Sequence, residues 1–329
     1  MLKTGSKPTQ KDVAEKTGYA VTTVSRALAD DPQIAERTRS KIAEAAAAIG
    51  YVPDRAAQRL RTGRTNVIAL VLDPHGELLD FSGSMISGFA DVVRATRYHL
   101  NLTQYQLGED PLAPIQNIVR NRLADGIAFA RTEPQDARVR YLLEADFPFV
   151  THGRTDVGGH AWYDYDNAAF AQKAVEQLHA LGRQRILIVP PSPNYTFARH
   201  MRDGFQSTID QLGATGILPT DFDLNSPATM VHQRLLSLLS CPKRPDGFIM
   251  AGEIAAMAGL AAIEDAGLKL GVDIDMVAKQ TSRVFDLHRP RIETIFEDIK
   301  EAGQTMAKAL LCEINRAPSS VRQVLQSPR

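Results

Sequence analysis

Residues 9–28, TQKDVAEKTGYAVTTVSRAL, leave few options for how this chain begins. Thr9 with Asp12 three positions on is a capping-box start, in which each side chain satisfies a backbone donor exposed in a helix's first turn. The helix that follows stops at Gly18, because glycine tolerates the left-handed turn that a helix exit requires. A second short helix is expected from about Val21 to Leu28, with Ala14, Val24 and Leu28 packing the pair. Its outer face carries Thr22, Thr23, Ser25 and Arg26, small donors and one long fork. This is the shape of a helix-turn-helix, whose second helix lies in the major groove of DNA. On this stretch alone, an ordinary helical hairpin is the alternative.

A third, alanine-rich helix is expected over residues 34–49, with Ile42 and Ile49 facing a small core and Gly50 ending it. Tyr51-Val52-Pro53 reads as extended, since the residue before a proline avoids the helical region. Asp54 can cap a short helix running through Leu60, followed by the linker of residues 61–65. Two turns of helix are marginal in water, so this piece is expected to be disordered alone and to fold on DNA.

The run DVAEKTGYAVTTVSRAL, followed by AERTRSKIAEAAAAIGYVPDRAAQRLRTGRT, resembles the DNA-binding head of the LacI/GalR family of transcriptional regulators. Weaker similarity continues through the rest of the chain. The resemblance places base reading on Val21, Thr22 and Arg26. An arginine can take a guanine edge with two parallel hydrogen bonds, worth roughly 1–3 kcal/mol of discrimination. Thr23 and Ser25 would touch phosphate, which positions without specifying. Thr9, Tyr51, Arg55 and Gln58 join the expected DNA contacts. Leu60, at the end of the hinge helix, would wedge between base steps in the minor groove and kink the duplex. The chain departs from the family at Ala20 and Ala35, where serine usually caps the second and third helices; a lost cap typically costs about 1 kcal/mol. Tyr19 also stands in place of a smaller apolar residue.

Charge distribution agrees with a nucleic-acid-binding head. Residues 1–65 hold 12 Lys+Arg against 7 Asp+Glu, and the remainder holds 26 against 31. The phosphate attraction therefore lies where the helix-turn-helix does. There is no run of about 18 apolar residues and no apolar core of a signal peptide, so a cytoplasmic, nucleoid-associated protein without a membrane span is expected. Cys241 and Cys312 are far apart and lack metal-ligand spacing, and read as reduced thiols. No P-loop and no G-x-S-x-G elbow occurs, so neither an enzyme nor a cofactor is expected.

From Asn66 the pattern changes. NVIALVL is a continuous apolar strand of the buried parallel kind. Helices are expected over about 83–96, 114–123 and 136–145, alternating with strands at 101–105, 126–130 and 148–151. A second series takes helices 167–181, 197–212 and 255–266 with strands 185–189, 247–250 and 276–278. Such alternation implies doubly wound parallel sheets. The expected fold is thus a small all-α helix-turn-helix head plus an α/β periplasmic-binding-protein-like core of two doubly wound parallel-sheet lobes. The expected divisions are 1–53 for the head, 54–65 for the hinge helix and linker, and 66–329 for the core. Lobe one would hold about 66–161 plus 292–318, and lobe two about 162–291 plus 319–329. The last residues show no heptad pattern, which argues against a tetramer-forming coiled tail.

Ligands of open α/β sheets bind beyond the carboxyl ends of the strands. That rule nominates loops 75–82, 152–154, 192–199, 252–253 and 279–282. The family's ligand positions match poorly here. His152 stands where relatives have aspartate, Gly252-Glu253 where they have Asn-Asp, and Ala278-Lys279-Gln280-Thr281 where they have Gly-Phe-Asp-Asp. Met201 stands where they place an arginine. Sugar sites need acids and amides for vicinal hydroxyls, arginine to fork across two of them, and aromatic faces for ring hydrogens. The candidates are Phe81, Ser82, His152, Arg154, Trp162, Asp164, Asp166, Tyr195, Arg199, Glu253 and Gln280. Asp166 can equally be a helix cap, His152 a core histidine and Trp162 an interface residue. The resemblance implies a homodimer that reads an inverted repeat of double-stranded DNA and responds to a small effector, with a neutral sugar or oligosaccharide the first choice. A sugar-binding sensor without a DNA role is the alternative.

Overall fold

The structure, a computed structural model, describes residues 7–52, 59, 62–73, 78–105 and 108–329. It comprises two compact units that divide between Thr65 and Asn66. Arg55, Gln58 and Leu60, and with them the expected hinge helix, lie outside the described residues.

The first unit is a three-helix head of α1 (Gln10–Thr17), α2 (Val21–Ala27) and α3 (Glu36–Ala48). Asp12 Oδ2 accepts both the Thr9 backbone N–H at 2.6 Å and the Thr9 hydroxyl at 2.8 Å, which anchors the start of α1. The same bonds hold the Asp12 carboxyl below its usual range. Gly18 adopts φ 76° and donates its N–H to the Ala14 carbonyl at 2.9 Å, the left-handed exit read from the sequence. α2 and α3 begin on Ala20 and Ala35 without a side-chain cap. Val13, Val24 and Ile42 are fully buried between the helices, and Ala14, Ala27 and Ala46 let the backbones approach. Leu28, Ile49 and Tyr51 pack half-buried at the rim of this core. The aromatic body of Tyr51 therefore belongs partly to the head's interior.

In the second unit, β1 (Val67–Leu72), α4 (Phe81–Val93), β2 (His99–Gln104), α5 (Leu112–Arg120), β3 (Gly126–Phe129), α6 (Ala137–Glu144), β4 (Phe149–His152) and β5 (Ala161–Tyr165) come first. They are followed by α7 (Asn167–Ala180), β6 (Arg185–Val189), α8 (Thr196–Leu212), β7 (Thr215–Ile217), α9 (Ala228–Leu239), β8 (Gly247–Met250), α10 (Glu253–Asp265) and β9 (Asp275–Gln280). β10 (Glu293–Phe296), α11 (Ile299–Ile314) and β11 (Gln323–Gln326) complete the chain. The strands pair, all in parallel, into a sheet of order β11-β5-β4-β3-β1-β2 and a second of order β10-β9-β8-β6-β7. Central strands such as β1, β6 and β8 are buried almost throughout, as their unbroken apolar runs require when helices cover both faces.

Strand pairing corrects the expected lobe boundaries. β5 pairs with β4 through Val150 and Ala161, and β11 pairs with β5 through Gln323 and Trp162, so residues 162–165 and 323–326 belong to lobe one. β10 pairs with β9 through Glu293 and Val277, so 293–296 belongs to lobe two. The chain thus passes to lobe two around Asp166 and returns around Glu297. Each passage leads directly into a capped helix: Asp166 accepts from Ala169 N–H at 3.0 Å, and Asp298 from Glu301 N–H at 2.8 Å.

Lobe one is locked by α11 lying against α4. A Cβ at Gly88 would sit 2.3 Å from the Lys300 carbonyl oxygen, and one at Gly303 would sit 2.6 Å from that of Met85. The two backbones touch because neither residue has a side chain. Among the described residues, no helix is long and apolar enough to cross a membrane.

Candidate functional site

On the head, α2 presents Val21, Thr22 and Arg26 exposed, with Thr23 and Ser25 half-buried beside them. Arg26 is not extended freely into solvent. Its Nε donates to Asp31 Oδ2 at 2.8 Å, and its Nη2 donates to Gln33 Oε1. Asp31 Oδ1 in turn accepts the Gln33 backbone N–H at 2.9 Å. The Arg26 bond, with that of Gln33, keeps the Asp31 carboxyl below its usual range. Thr9 turns its hydroxyl to Asp12, as described above.

On the body, loops at the carboxyl ends of both sheets line a cleft. Lobe one contributes Phe81, Arg131, His152 and Asp164; lobe two contributes Asn167, Phe197 and Lys279; Glu297 stands on the return passage. Three ion pairs, two of them buried and that of Arg154 half-buried, line or adjoin it. Asp164, at the end of β5, accepts from Arg154 Nε at 2.7 Å, and that guanidinium lies 5.7 Å from the Trp162 ring centroid. Lys279 pairs with Glu297, donates to Asn167 Oδ1 at 3.0 Å and sits 4.4 Å over the Tyr165 ring. Arg131 pairs with Asp73 at 2.8 Å, and its Nη1 reaches across the cleft to Tyr195 Oη at 3.2 Å and Asn225 Oδ1 at 3.1 Å. Arg131 has φ 54°, a conformation that costs a non-glycine residue of order 1–3 kcal/mol and clusters at ligand sites.

Burial pushes the Asp164 carboxyl up to about 6, with the Arg154 hydrogen bond pulling the other way. Burial likewise pushes Asp73 up against the pull of Arg131. His152 is driven down to about 4 by burial, despite Glu297 at 3.7 Å, so its ring is neutral near pH 7. It packs edge-on against Phe81 with centroids 5.4 Å apart. Three cations, three carboxylates and a neutral imidazole give a cleft without net charge. Charge-assisted forks of this sort bind hydroxyl pairs well, while the Phe81 and Phe197 faces suit apolar ring hydrogens.

Of the candidates read from the sequence, Phe81, His152 and Asp164 line the cleft, and Arg154, Trp162 and Tyr195 stand directly behind it. The other five do not line it. Ser82 sits beside Phe81 on α4, outside the lining. Asp166 caps α7. Arg199 forks onto Asp156 of lobe one at 2.9 and 2.6 Å. Gln280 is buried under the following loop, bonding Asp286 and Thr294. Glu253 has no exposed surface, and both oxygens are occupied. Oε1 accepts from Thr281 N–H, Ser282 N–H and Ser282 Oγ at 2.9, 2.9 and 2.7 Å; Oε2 accepts from Leu79 N–H at 2.8 Å and Thr281 Oγ1 at 3.2 Å. Burial raises its pKa, but these bonds, led by that of Ser282, leave it below its usual range. Because Leu79 belongs to lobe one, Glu253 is a tie between lobes rather than a ligand acid.

Sequence reasoning passed over Arg131 and Glu297, although the strand-end rule could have found both. Arg131 follows β3, whose exit loop was not nominated, and Glu297 follows β10, which was not recognised as a strand.

Comparison with known proteins bears on both units. The profile for bacterial regulatory proteins, lacI family, matches residues 9–54, and that for a periplasmic binding protein-like domain matches residues 175–329. The HTH-type transcriptional regulator RafR of Escherichia coli is 31% identical over 257 residues, covering 75% of this chain and 75% of that protein. The HTH-type transcriptional regulator AglR of Rhizobium meliloti (strain 1021) is 29% identical over 322 residues, covering 92% and 86%. Among solved structures, the lac repressor dimer bound to operator and the anti-inducer ONPF matches with a TM-score of 0.83 at 22% identity, over 98% of this chain and 97% of that one. A complex of the transcriptional regulator CelR with cellobiose matches with a TM-score of 0.71 at 19% identity, over 98% of each chain. These structural likenesses establish the fold.

Proposed function

The chain belongs to the lacI family of bacterial regulatory proteins, sequence-specific DNA-binding transcriptional regulators, and from that premise we propose a repressor whose grip on its operator is set by a neutral sugar held in the cleft. The observation that carries the effector class is the matching of every cation lining or adjoining the cleft to a carboxylate, beside aromatic faces. A net-neutral site discriminates against sugar phosphates and acids, which would bring an unmatched charge into a desolvated space. The binding of cellobiose by a protein of the same fold supports the same class. The regulator acts as a homodimer on an inverted repeat, since a two-fold assembly reads two-fold DNA. It works at the nucleoid in the cytoplasm. Ligand and DNA affect one another through a shared coupling free energy, which lobe rotation can carry.

A thermal-shift screen tests the effector class, because a tight ligand raises the stability of the state it binds. Neutral mono- and disaccharides should raise the midpoint and their phosphorylated or uronate counterparts should not. The reverse order would reject a neutral effector.

Affinity should also depend on pH through Asp164. Its carboxyl titrates near 6, above the ordinary 3.8, so a sugar that needs the ionised Arg154–Asp164 pair binds more weakly as the pH falls through about 6. Calorimetry between about pH 5 and pH 8 should show this loss in the wild type and not in Asp164→Asn. His152 cannot mimic the effect, since it is already neutral over that range.

For the head, Arg26→Ala should reduce affinity for the preferred duplex by about ten- to a hundredfold, the discrimination expected of a bidentate arginine. Affinity for scrambled DNA should fall much less. Equal losses on both duplexes in a competition gel shift would remove Arg26 from direct readout.

A further inference from the structure

The geometry points to Asp31 as the positioning residue that fixes which edge of Arg26 is offered to a base, and so as a determinant of operator specificity outside the recognition helix. The inference rests on the reading of α2 as the groove-reading helix.

A guanidinium has two bidentate edges, a side edge of Nε with Nη2 and an end edge of Nη1 with Nη2. In this head Asp31 Oδ2 takes Nε at 2.8 Å, so the side edge cannot make a bidentate pair with a base, and Gln33 Oε1 takes one hydrogen of Nη2. Nη2 keeps a second hydrogen, and among the described residues none is bonded to Nη1. The side chain is about half-exposed, with a relative accessibility of 45%. Pinning the side edge therefore leaves the end edge as the one available to guanine O6 and N7.

The anchor itself is held from three directions. Asp31 donates its own backbone N–H to the Arg26 carbonyl at 3.1 Å. Its Oδ1 takes the Gln33 backbone N–H at 2.9 Å, so one carboxylate turns the loop and grips the arginine together. Arg39, from α3, donates Nη1 to the Asp31 and Ile34 carbonyls at 3.2 Å each and pairs with Asp30 at 3.3 Å. The loop after α2 is thereby tied to α3, and Asp31 moves with the rigid head rather than with solvent. Pre-ordering matters because arginine carries large rotamer entropy that an unpinned side chain gives up on binding.

Charge alone predicts the opposite of positioning, which makes the proposal testable. Removing an acid from a DNA-facing loop should strengthen binding to any duplex. Loss of the anchor should weaken binding only where Arg26 reads a base. The full-length protein is used first to select a preferred duplex from a randomised pool; selection of none would refute the proposed function itself, before Asp31 is at issue. Affinities of the wild type, Asp31→Ala, Asp31→Asn, Arg26→Ala and the Arg26→Ala/Asp31→Ala double variant are then measured on that duplex and on a scrambled one. Positioning predicts that Asp31→Ala loses about fivefold to tenfold on the selected duplex, within the discrimination a bidentate arginine supplies. Binding to scrambled DNA should be unchanged or gain about twofold. Asp31→Asn, which keeps an acceptor for the Gln33 N–H, should lie between. In the Arg26→Ala background, Asp31→Ala should cause no further loss of discrimination. The proposal is overturned if Asp31→Ala shifts both duplexes by the same factor, or if it costs as much specificity without Arg26 as with it.

Discussion

Replacing Glu253 by alanine is expected to destabilise the body by about 3 kcal/mol or more. The carboxylate satisfies three backbone N–H groups, of Leu79, Thr281 and Ser282, and each buried donor left unpaired costs roughly 1–3 kcal/mol. Against a total of about 5–15 kcal/mol, that is a large fraction. Glu253→Gln is the sharper test. An amide offers one acceptor and one donor group, so its NH₂ must face at least one of these N–H groups, and it should recover only part of the loss. The pH dependence follows from the sign of the shift. Because hydrogen bonds hold the Glu253 carboxyl below its ordinary value, its contribution is complete at neutral pH and drains away as the pH drops through the depressed folded value. The denaturant midpoint of the wild type should therefore fall in acid, and that of Glu253→Ala should fall less over the same range. A variant as stable as the wild type at neutral pH would mean that water replaces the carboxylate without cost. Because Leu79 lies in lobe one, the same substitution should also loosen the contact between the lobes and weaken binding of the proposed effector.

The second large effect belongs to Lys279. Changing it to methionine leaves Glu297 buried with its partner gone, and breaking such a pair typically costs about 3–5 kcal/mol. Asn167 Oδ1 loses its donor in the same step. The expected drop in thermal midpoint is roughly 6–15 °C for a unit of this size. Changing both partners, Lys279→Met with Glu297→Leu, should be less harmful than the single change, because an apolar pair carries no orphaned charge. A single variant within about 1 kcal/mol of the wild type would show that the pair is hydrated. Both variants should lose ligand affinity, since the two side chains line the cleft. Stability and binding thus separate: the double substitution restores one and not the other.

The elements that could be read from the sequence are those whose own residues dictate them. Residues 9–28 carried the head, because a capping pair, a left-handed glycine and small buried alanines sit at fixed spacings. NVIALVL and the apolar run 185–189 carried the central strands, which are buried on both faces. Edge elements were harder. QVLQ of β11 and ETIF of β10 hold two apolar residues each, and their strand character comes from the neighbour they pair with. Missing them, together with the interior strand β5, displaced the lobe boundaries, and missing β10 hid Glu297. Internal pairing was the other hidden quantity. Glu253, Arg199 and Gln280 have the chemistry of sugar ligands, but their hydrogen bonds are taken up within the protein, and residue type alone cannot reveal that. Arg26 was legible as a candidate reader from its place on α2, whereas its bond to Asp31 depends on a fold-back of the loop after α2.

The two passages between the lobes, at Asp166 and Glu297, run without slack into helices whose first turns are pinned by Asp166 and Asp298. Any turn of one lobe on the other has therefore to be taken up in the few residues around those two points. A molecule that fills the cleft would make itself felt elsewhere through these two short strips of backbone.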